Sequence, residues 1–234
     1  MIYLFAALAV SGSAAFGQTS DTPPVLDVIF YEDPIASFTK KDGSIAGASV
    51  DLMRPLLDKT GVNYRFRILP WVRLYRQALT SDRMAVMHLL RTKDREDQFH
   101  WLYKISVQEH ILISRNTAKM KALSAAEIVN GPYMAVCEEH AAQCAMLRQF
   151  GFSESKIMRL YDMTPGEHAN LIATGRFDFM IDNIPSLSSE LKVLGIAEER
   201  LFEHTKVSES AEYLAASKTL DPRLVEQLKT LQHR

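Results

Sequence analysis

Short apolar runs alternate with amphipathic stretches along the first half of the chain. Residues 25–31 and 84–90 are rich in aliphatic and aromatic side chains, and residues 64–69 alternate apolar with polar positions, as β-strands do. Between them, residues 50–57 and 71–79 place apolar side chains three and four positions apart, which predicts helices. The order strand, helix, strand, helix, strand predicts a mostly parallel sheet.

The second half of the chain follows the same alternation. Residues 109–114 are predicted to be a strand that leads out of the first unit, and the polar residues 115–121 mark a boundary. Strands are then predicted at 133–137, 157–161 and 177–181, helices at 141–150, 164–175, 186–194 and 223–231, and an extended segment at 210–216. Two units of similar size, joined by extended segments, predict an α/β molecule with two lobes and a cleft between them.

Helix starts can be assigned from capping residues. Ser49 or Asp51 can cap the first helix with a side-chain oxygen. Thr164, followed by Pro165 and by Glu167, is typical of a helix that begins with a threonine cap, a proline at the first position and a glutamate that reaches back.

The first residues differ from the rest of the chain. Residues 2–10 are apolar, and small and polar residues follow, with Ala15 and Gly17 at the two small-residue positions of a signal-peptidase site. The apolar run is shorter than the roughly 20 residues that cross a bilayer. We therefore predict a signal peptide at residues 1–17, a linker at 18–24 and a periplasmic protein, with a buried N-terminal strand or helix as the alternative.

Composition narrows the class of protein. Hydrophobic residues make up 47% of the chain and charged residues 24%, which is typical of a soluble globular protein. The formal net charge of −1 gives no electrostatic case for a nucleic acid or an acidic membrane surface as partner. No cluster of cysteine and histidine has the spacing of a zinc site, and we predict no metal and no cofactor.

The chain has two cysteines, Cys137 and Cys144, which fit an oxidising compartment. On one helix their Cα atoms would lie about 10 Å apart, whereas a disulfide needs less than about 7 Å. They could bond only if Cys137 ends a strand and the chain turns before Cys144. Two free thiols are the alternative.

Two arginines, Arg91 and Arg95, follow the predicted strand 84–90. Loops at the carboxyl ends of strands are where α/β proteins meet their ligands. A guanidinium there can hold a carboxylate through two parallel charge-assisted hydrogen bonds. The alternative is that both arginines face water.

Three stretches carry a resemblance to a known family. They are residues 47–53 (GASVDLM), Trp71 followed by a helix, a strand and residues 92–95 (TKDR), and residues 175–182 (GRFDFMID). In this order and spacing, the chain resembles the periplasmic solute-binding proteins of the polar-amino-acid type, bacterial solute-binding family 3. The resemblance extends over residues 25–231.

The resemblance implies a two-lobed periplasmic-binding-protein fold of type II, with a hinge between the lobes. We assign residues 25–113 and 207–234 to lobe 1 and residues 114–206 to lobe 2. The family further implies that the lobes close on a small zwitterion. By position, Arg95 would hold the ligand carboxylate, Thr92 would shape its turn and Asp182 would receive the ligand ammonium. Trp71 and Tyr31 are the candidate aromatic walls.

Each assignment has a structural alternative. Trp71 lies on the apolar stripe of its helix and can simply pack in the core. Asp182 can cap the helix that begins near residue 185. Asn183 is an alternative ligand contact, because the stretch 178–182 is one residue shorter than in many members of the family. Tyr31 is near the cleft, although the aromatic residue expected just before the proline is replaced by Asp33.

The chain also departs from the family pattern around the ligand. His88 and Leu90 stand where hydroxyl residues are common, and Glu139 and His140 stand where a glycine and a hydroxyl residue usually begin a helix. His88 and His140 are therefore candidate ligand contacts. The second change replaces an anion cradle by acidic and titratable groups, so a cationic ligand is an alternative to an ordinary amino acid.

The resulting prediction is a monomeric periplasmic binding protein, not an enzyme, that delivers a small amino-acid-like ligand to an ABC importer in the inner membrane. Delivery to a sensor kinase or receptor is the close alternative. A periplasmic dehydratase-type enzyme on the same fold would need an acid or base in the cleft with a shifted pKa, for which Glu32, Glu139 and His140 are the sequence candidates. A lobe pair that acts only through protein contacts is the third alternative.

Overall fold

The computed structural model describes residues 24–231. The predicted signal peptide, residues 1–17, and the predicted linker up to residue 23 lie outside the described residues. Residues 24–231 contain ten strands: β1 Leu26–Phe30, β2 Phe38–Thr39, β3 Ile45–Ala46, β4 Tyr64–Ile68, β5 Met84–Leu90, β6 Phe99–Arg115, β7 Ala135–Glu138, β8 Ile157–Leu160, β9 Phe179–Asp182 and β10 Leu201–Ser217.

The helices lie between and after these strands. In the described part of the chain, eight are α-helices: α1 Ala48–Asp58, α2 Trp71–Ala78, α3 Ala118–Lys121, α4 Ala125–Asn130, α5 Ala142–Phe150, α6 Glu167–Ala173, α7 Ile184–Leu194 and α8 Pro222–Leu228. Short 3₁₀ helices occupy Lys93–Arg95, Glu154–Lys156, Glu198–Arg200 and Lys229–Leu231. None of the helices in residues 24–231 combines the length and the apolar character that spanning a membrane requires.

Eight strands form one mixed sheet in the order β4-β1-β5-β10-β6-β9-β7-β8. The pairs β1–β4, β1–β5, β7–β8 and β7–β9 are parallel, whereas β5–β10, β10–β6 and β6–β9 are antiparallel. Two βα units thus stand on either side of a long central ladder, β6 with β10. The predicted α/β fold is confirmed, and the assignment of residues to the two lobes stays a prediction.

Apolar side chains on both faces of the sheet form the core. All five residues of β1 are buried, and so are all residues of β5 except His88, as expected for parallel strands covered on both sides. Two apolar clusters form around β1 and β5, and two others form around β7 and β9. Each βα unit therefore has its own core.

Two predicted helix starts are wrong. Helix α1 begins after Gly47, and no side chain caps it. Gly47 has a φ of 129°, and a Cβ there would lie 2.3 Å from the carbonyl oxygen of Ala36, so the close approach of two backbones sets this start. Helix α6 begins at Glu167 after a left-handed Gly166, although Glu167 Oε2 still accepts the N–H of Thr164 at 3.0 Å.

The central strands are longer than predicted. Strands β6 and β10 each contain 17 residues, whereas extended structure was predicted only at 109–114 and 210–216. The predicted polar boundary 115–121 contains the short helix α3. Strands β6 and β10 pair along their length, and together they connect the two βα units.

Candidate functional site

A cavity of about 140 Å³ lies between the two βα units. The strand ends, the segment after β5 and the first turns of α2, α5 and α7 contribute to its wall. The predicted site residues on this wall are Tyr31, Trp71, His88, Arg95 and Asp182. Thr92 and His140 instead line an adjoining surface groove, which they share with Arg95.

Arg95 is held firmly at the cavity wall. It is 4% exposed, and its guanidinium donates to the carbonyl oxygen of Leu90 at 3.0 Å and to that of His140 at 2.7 Å. Burial lowers the pKa of Arg95 from its ordinary value, but a guanidinium stays charged in proteins. A guanidinium has five N–H donors, so donors remain for a ligand.

Aromatic rings stack around Arg95. The guanidinium carbon lies 4.9 Å from the ring centroid of Tyr75 and 5.6 Å from that of Trp71, within the range of cation–π contacts. Trp71 also packs edge-on against Tyr31, at 6.3 Å between centroids. Trp71 therefore packs with core aromatic residues and lines the cavity at the same time.

His88 joins three elements through hydrogen bonds. Its Nδ1 donates to Glu212 Oε2 at 3.1 Å, and its Nε2 is hydrogen-bonded to the Ser49 hydroxyl at 2.6 Å. Glu212 Oε2 also accepts from Ser106 at 2.8 Å and from Gln108 at 3.2 Å. Burial raises the pKa of Glu212, but the hydrogen bonds and the nearby His88 outweigh it and hold the pKa below its usual value.

Three other carboxyl groups on the cavity wall have raised pKa values, in contrast to Glu212. Asp182 ends β9, Glu190 lies on α7 and Glu138 ends β7. Among the described residues none of the three forms an ion pair. Burial raises the pKa of Asp182 to about 7, that of Glu190 to about 8 and that of Glu138 to about 7. Nearby Asp182 and Asp33 raise the pKa of Glu190 further.

The N-cap of helix α7 is Asn183 and not Asp182. Asn183 caps α7 through a bond from the Ser186 N–H to its side-chain oxygen, at 2.9 Å. Asp182 Oδ1 accepts the N–H of Asn183 at 2.8 Å. The alternative in which Asp182 caps this helix is therefore wrong, and its carboxylate remains at the cavity wall.

Two further histidines line the cavity. His110 lies on β6 and is only 1% exposed, and neither ring nitrogen has a hydrogen-bond partner within residues 24–231. Burial lowers the pKa of His110, and it lowers the pKa of His168 to about 4. His168 is therefore neutral at neutral pH, and the protein is expected to keep His110 neutral as well.

Thr92 and His140 act beside the cavity. The carbonyl oxygen of Thr92 accepts the N–H of Arg95 at 3.0 Å, so Thr92 shapes the turn that carries the arginine. His140 has a left-handed backbone with a φ of 65°, and its ring stacks on Tyr75 at 5.3 Å. Its ring also accepts a hydrogen bond from Arg76 Nε at 3.3 Å. These contacts join the segment after β7 to α2.

The two cysteines form a disulfide next to the cavity. Cys137 lies in β7 and Cys144 in α5, and their Cα atoms are 5.4 Å apart. The chain turns between them, as bonding required. The described residues contain no cluster of three or more side chains that could hold a metal ion.

The sequence did not identify several residues of this wall. Glu138, Glu190, His110 and Glu212 were not among the candidates, and the predicted acid–base candidates Glu32 and Glu139 do not line the cavity. No local signal marks the four missed residues, because each lies in an ordinary strand or helix pattern. Only the sheet pairing brings them together.

Comparisons with known proteins inform the fold. No protein-family model matches the chain, and no curated protein matches it. Similar solved structures include a histidine kinase sensor domain with similarity to periplasmic binding proteins, which has a TM-score of 0.72 and 15% identity and covers 89% of this chain and 88% of that one.

Two further solved structures are also similar. The arginine-, lysine-, histidine-binding protein ArtJ from Geobacillus stearothermophilus has a TM-score of 0.71 and 11% identity, and the match covers 89% of this chain and 87% of that one. An ancestral amino acid-binding protein, a precursor of cyclohexadienyl dehydratase, has a TM-score of 0.66 and 18% identity over 88% of this chain and 87% of that one. At these identities the likeness shows the fold, which is that of periplasmic binding proteins.

Proposed function

We propose that the protein is a periplasmic solute-binding protein that captures a small, polar, amino-acid-like molecule in the cavity. The observation that carries this proposal is that Arg95 and Asp182, from two different βα units, line one cavity of about 140 Å³. A cavity of about 150 Å³ holds a molecule the size of benzene, so the ligand is compact. Amino-acid binding by a neighbour of the same fold supports the proposal.

The mechanism is hinge closure between the two predicted lobes. A ligand that contacts both lobes favours the closed state over the open one by its difference in affinity. Arg95 is suited to this role because its guanidinium already donates to the carbonyl oxygen of His140, at 2.7 Å, across the cleft. The ligand would add contacts to the same arginine and to Asp182.

The closed form would be recognised by a partner in the inner membrane. An ABC permease is the partner that we propose. Delivery to a sensor kinase or receptor is a close variant, and it is supported by the sensor domain among the proteins of this fold.

The test is mass spectrometry of the gently purified protein for a co-purified small molecule, followed by thermal shift with the molecule found. At about 100 times its Kd, a ligand stabilises by roughly 2.7 kcal/mol. We expect Arg95→Gln to abolish the shift and Arg91→Gln to retain it. Arg91 is the matched control, because it is exposed and its Nε donates to Glu96 at 2.8 Å.

Two results would overturn the proposal. One is a protein that carries no small molecule and responds to no amino acid, amine or organic acid. The other is an unchanged ligand shift in Arg95→Gln, provided that its ligand-free unfolding midpoint stays close to that of the Arg91→Gln variant.

A second candidate function is a dehydratase-type enzyme on the same scaffold. The observation that favours it is Glu138, whose pKa burial raises to about 7, so that its carboxyl group can donate a proton at neutral pH. The test is elimination of water from cyclic carboxylic acids that carry a hydroxyl group. Turnover that is lost in Glu138→Gln would establish the enzyme, and absence of turnover with a bound carboxylic acid would exclude it.

A further inference from the structure

The cavity wall carries more carboxyl groups than cationic groups. Four carboxyl groups line it, those of Glu138, Asp182, Glu190 and Glu212, against one arginine, Arg95. Glu212 is paired with His88. The other three carboxyl groups have no ion-pair partner in the part of the chain that the structure describes. A zwitterion would add one positive and one negative charge and would leave this excess of carboxyl groups unchanged.

Asp182 and Glu190 are the carboxyl pair that shares one place in the cavity. Asp182 lies at the end of β9, Glu190 lies at the end of the second turn of α7, and both line the cavity. The nearby Asp182 and Asp33 each make it harder for Glu190 to ionise. Buried carboxylates that line one cavity favour an added cation.

His110 lines the same cavity as Asp182 and Glu190. It precedes Ile111, which pairs with Asp182, so its side chain leaves β6 on the face opposite to that of Ile111. The His110 side chain is buried and lines the cavity, yet its ring nitrogens have no hydrogen-bond partner within residues 24–231. A buried polar group without a partner costs free energy. A neutral imidazole nitrogen is an acceptor that an ammonium can satisfy.

We propose that the cavity takes a compact ligand of net positive charge, a diamine or a small diamino acid, with one ammonium held between Asp182 and Glu190 and hydrogen-bonded to His110. This inference rests on the proposed binding function and specifies its ligand class. The volume of about 140 Å³ limits the ligand to a short chain. Arg95 and the Trp71 indole N–H can receive a carboxylate where the ligand has one.

Cation binding by Asp182 and Glu190 should be coupled to the release of protons. The groups that face the pair are Tyr31 and Asp33 beside β1, His110 on β6, His168 on α6, Glu212 on β10 and Arg95. Burial raises the pKa values of Asp182 and Glu190, so the free site holds protons near neutral pH. An ammonium lowers both pKa values and expels protons. Affinity should therefore increase as the pH rises from 6 to 8.5.

The experiment compares four probes of similar length and different charge. Putrescine carries two ammonium groups, diaminobutyrate has a net positive charge, γ-aminobutyrate is a zwitterion and succinate is a dianion. Isothermal titration calorimetry at pH 6 and pH 8.5, in two buffers of different ionisation enthalpy, measures affinity and proton release together. We expect putrescine or diaminobutyrate to bind at least 10-fold more tightly than the other two at pH 6, where both carry a net positive charge, and putrescine to bind more tightly at pH 8.5.

Isosteric variants locate the cation. Asp182→Asn and Glu190→Gln should each weaken binding of the positively charged probe at least 10-fold and reduce the protons released. The control is Glu198→Gln, which removes an exposed carboxylate and should change neither quantity. Circular dichroism and the unfolding midpoint of each variant verify that it is folded.

The outcomes separate this inference from the proposed function. Preferred binding of γ-aminobutyrate or succinate would overturn the inference and leave a binding protein. Binding of putrescine without proton release, or unchanged in both Asp182→Asn and Glu190→Gln, would also overturn it. A protein that binds none of the four probes, and from which no small molecule co-purifies, would overturn both proposals.

Discussion

His88 has a left-handed backbone conformation, with a φ of 57°, next to the end of strand β5. For a residue with a Cβ, this conformation costs about 1–2 kcal/mol. It persists because it directs the imidazole toward both Ser49 and Glu212, at 2.6 and 3.1 Å. Such outliers are concentrated at functional sites, and His88 is one residue that shapes this cavity.

Replacing His88 should therefore separate two effects on the free energy of unfolding, that of the ring's hydrogen bonds and that of the strained backbone. His88→Ala leaves the buried Glu212 without its hydrogen-bond partner and keeps the strained backbone, so we expect a loss of about 2–4 kcal/mol in the free energy of unfolding. His88→Gly removes the same ring but relaxes the backbone, and it should be more stable than His88→Ala by about 1 kcal/mol. Urea unfolding of both variants measures the difference. Equal stabilities would contradict a strained backbone at residue 88.

Asp182 should make the stability of the ligand-free protein depend on pH. Burial raises its pKa from an ordinary 3.8 to about 7, so the folded state binds the proton more tightly than the unfolded state does. This stabilisation is complete below about pH 4 and is lost as the pH rises through about 7. Asp182→Asn removes the titration, so at pH 8 it should be more stable than the native protein by up to a few kcal/mol.

The measurement for Asp182 is the free energy of unfolding at a series of pH values between 4 and 9, with Glu198→Gln as the control. The native protein and the control should lose stability together, and Asp182→Asn should lose less. Parallel curves for all three proteins would contradict a raised pKa at Asp182.

Single residues of the site differ in how far the sequence predicts them. Arg95 and Asp182 follow strands in recognisable motifs, so their place at the strand ends was predictable. Glu190 is one of several polar residues on an amphipathic helix, so the sequence predicts that it is exposed to solvent. His110 lies in a strand where histidine has no positional meaning. Their roles depend on the pairing of β6 with β9, which no local pattern encodes.

At the scale of elements, the buried parallel strands were the most predictable. Residues 84–90 form β5 as predicted, because a fully buried strand is a continuous apolar run. The long strands β6 and β10 were only partly predicted, since their middle parts carry charged residues such as Glu109 and Lys206. In the structure Lys206 Nζ donates to Glu109 Oε1 at 2.6 Å across the ladder. A strand that contains such charged pairs lacks the apolar pattern by which hydropathy predicts strands.

The disulfide between β7 and α5 provides a test at the same scale. It closes a short loop, since Cys137 and Cys144 are seven positions apart in the sequence, and such a link contributes about 2–3 kcal/mol. Because Cys137 also lines the cavity, its loss should weaken ligand binding as well. Reduction of the native protein should lower its unfolding midpoint and its ligand response.

The control for the disulfide is the double variant Cys137→Ser with Cys144→Ser. It should unfold at the midpoint of the reduced native protein and should not respond to reductant. A native protein whose midpoint is unchanged by full reduction, verified by thiol counting, would contradict a stabilising role for this bond.

At the scale of the whole molecule, Arg95 and His140 make contacts between the two predicted lobes. The guanidinium of Arg95 donates to the His140 carbonyl, and the His140 ring stacks on Tyr75. The carboxyl groups oppose this closure. Asp33 and Glu212 lie in predicted lobe 1, and Asp182 and Glu190 lie in predicted lobe 2, so ionisation of all four places negative charge on both sides of the cavity.

Opening of the molecule should therefore depend on pH and on a cation together. Without ligand, the radius of gyration at pH 8.5 should exceed that at pH 5 by a few per cent of the roughly 17 Å expected for a compact chain of this length. At pH 5 Asp182 and Glu190 are protonated, because burial raises their pKa values to about 7 and about 8, and repulsion across the cavity is weak. Putrescine at pH 8.5 should restore the smaller value, because its ammonium neutralises the pair and favours the closed state.

Small-angle X-ray scattering measures the radius of gyration of each state, and Asp182→Asn should stay compact at both pH values. A radius that changes with neither pH nor putrescine would contradict repulsion between the lobes as the force that opens the cleft.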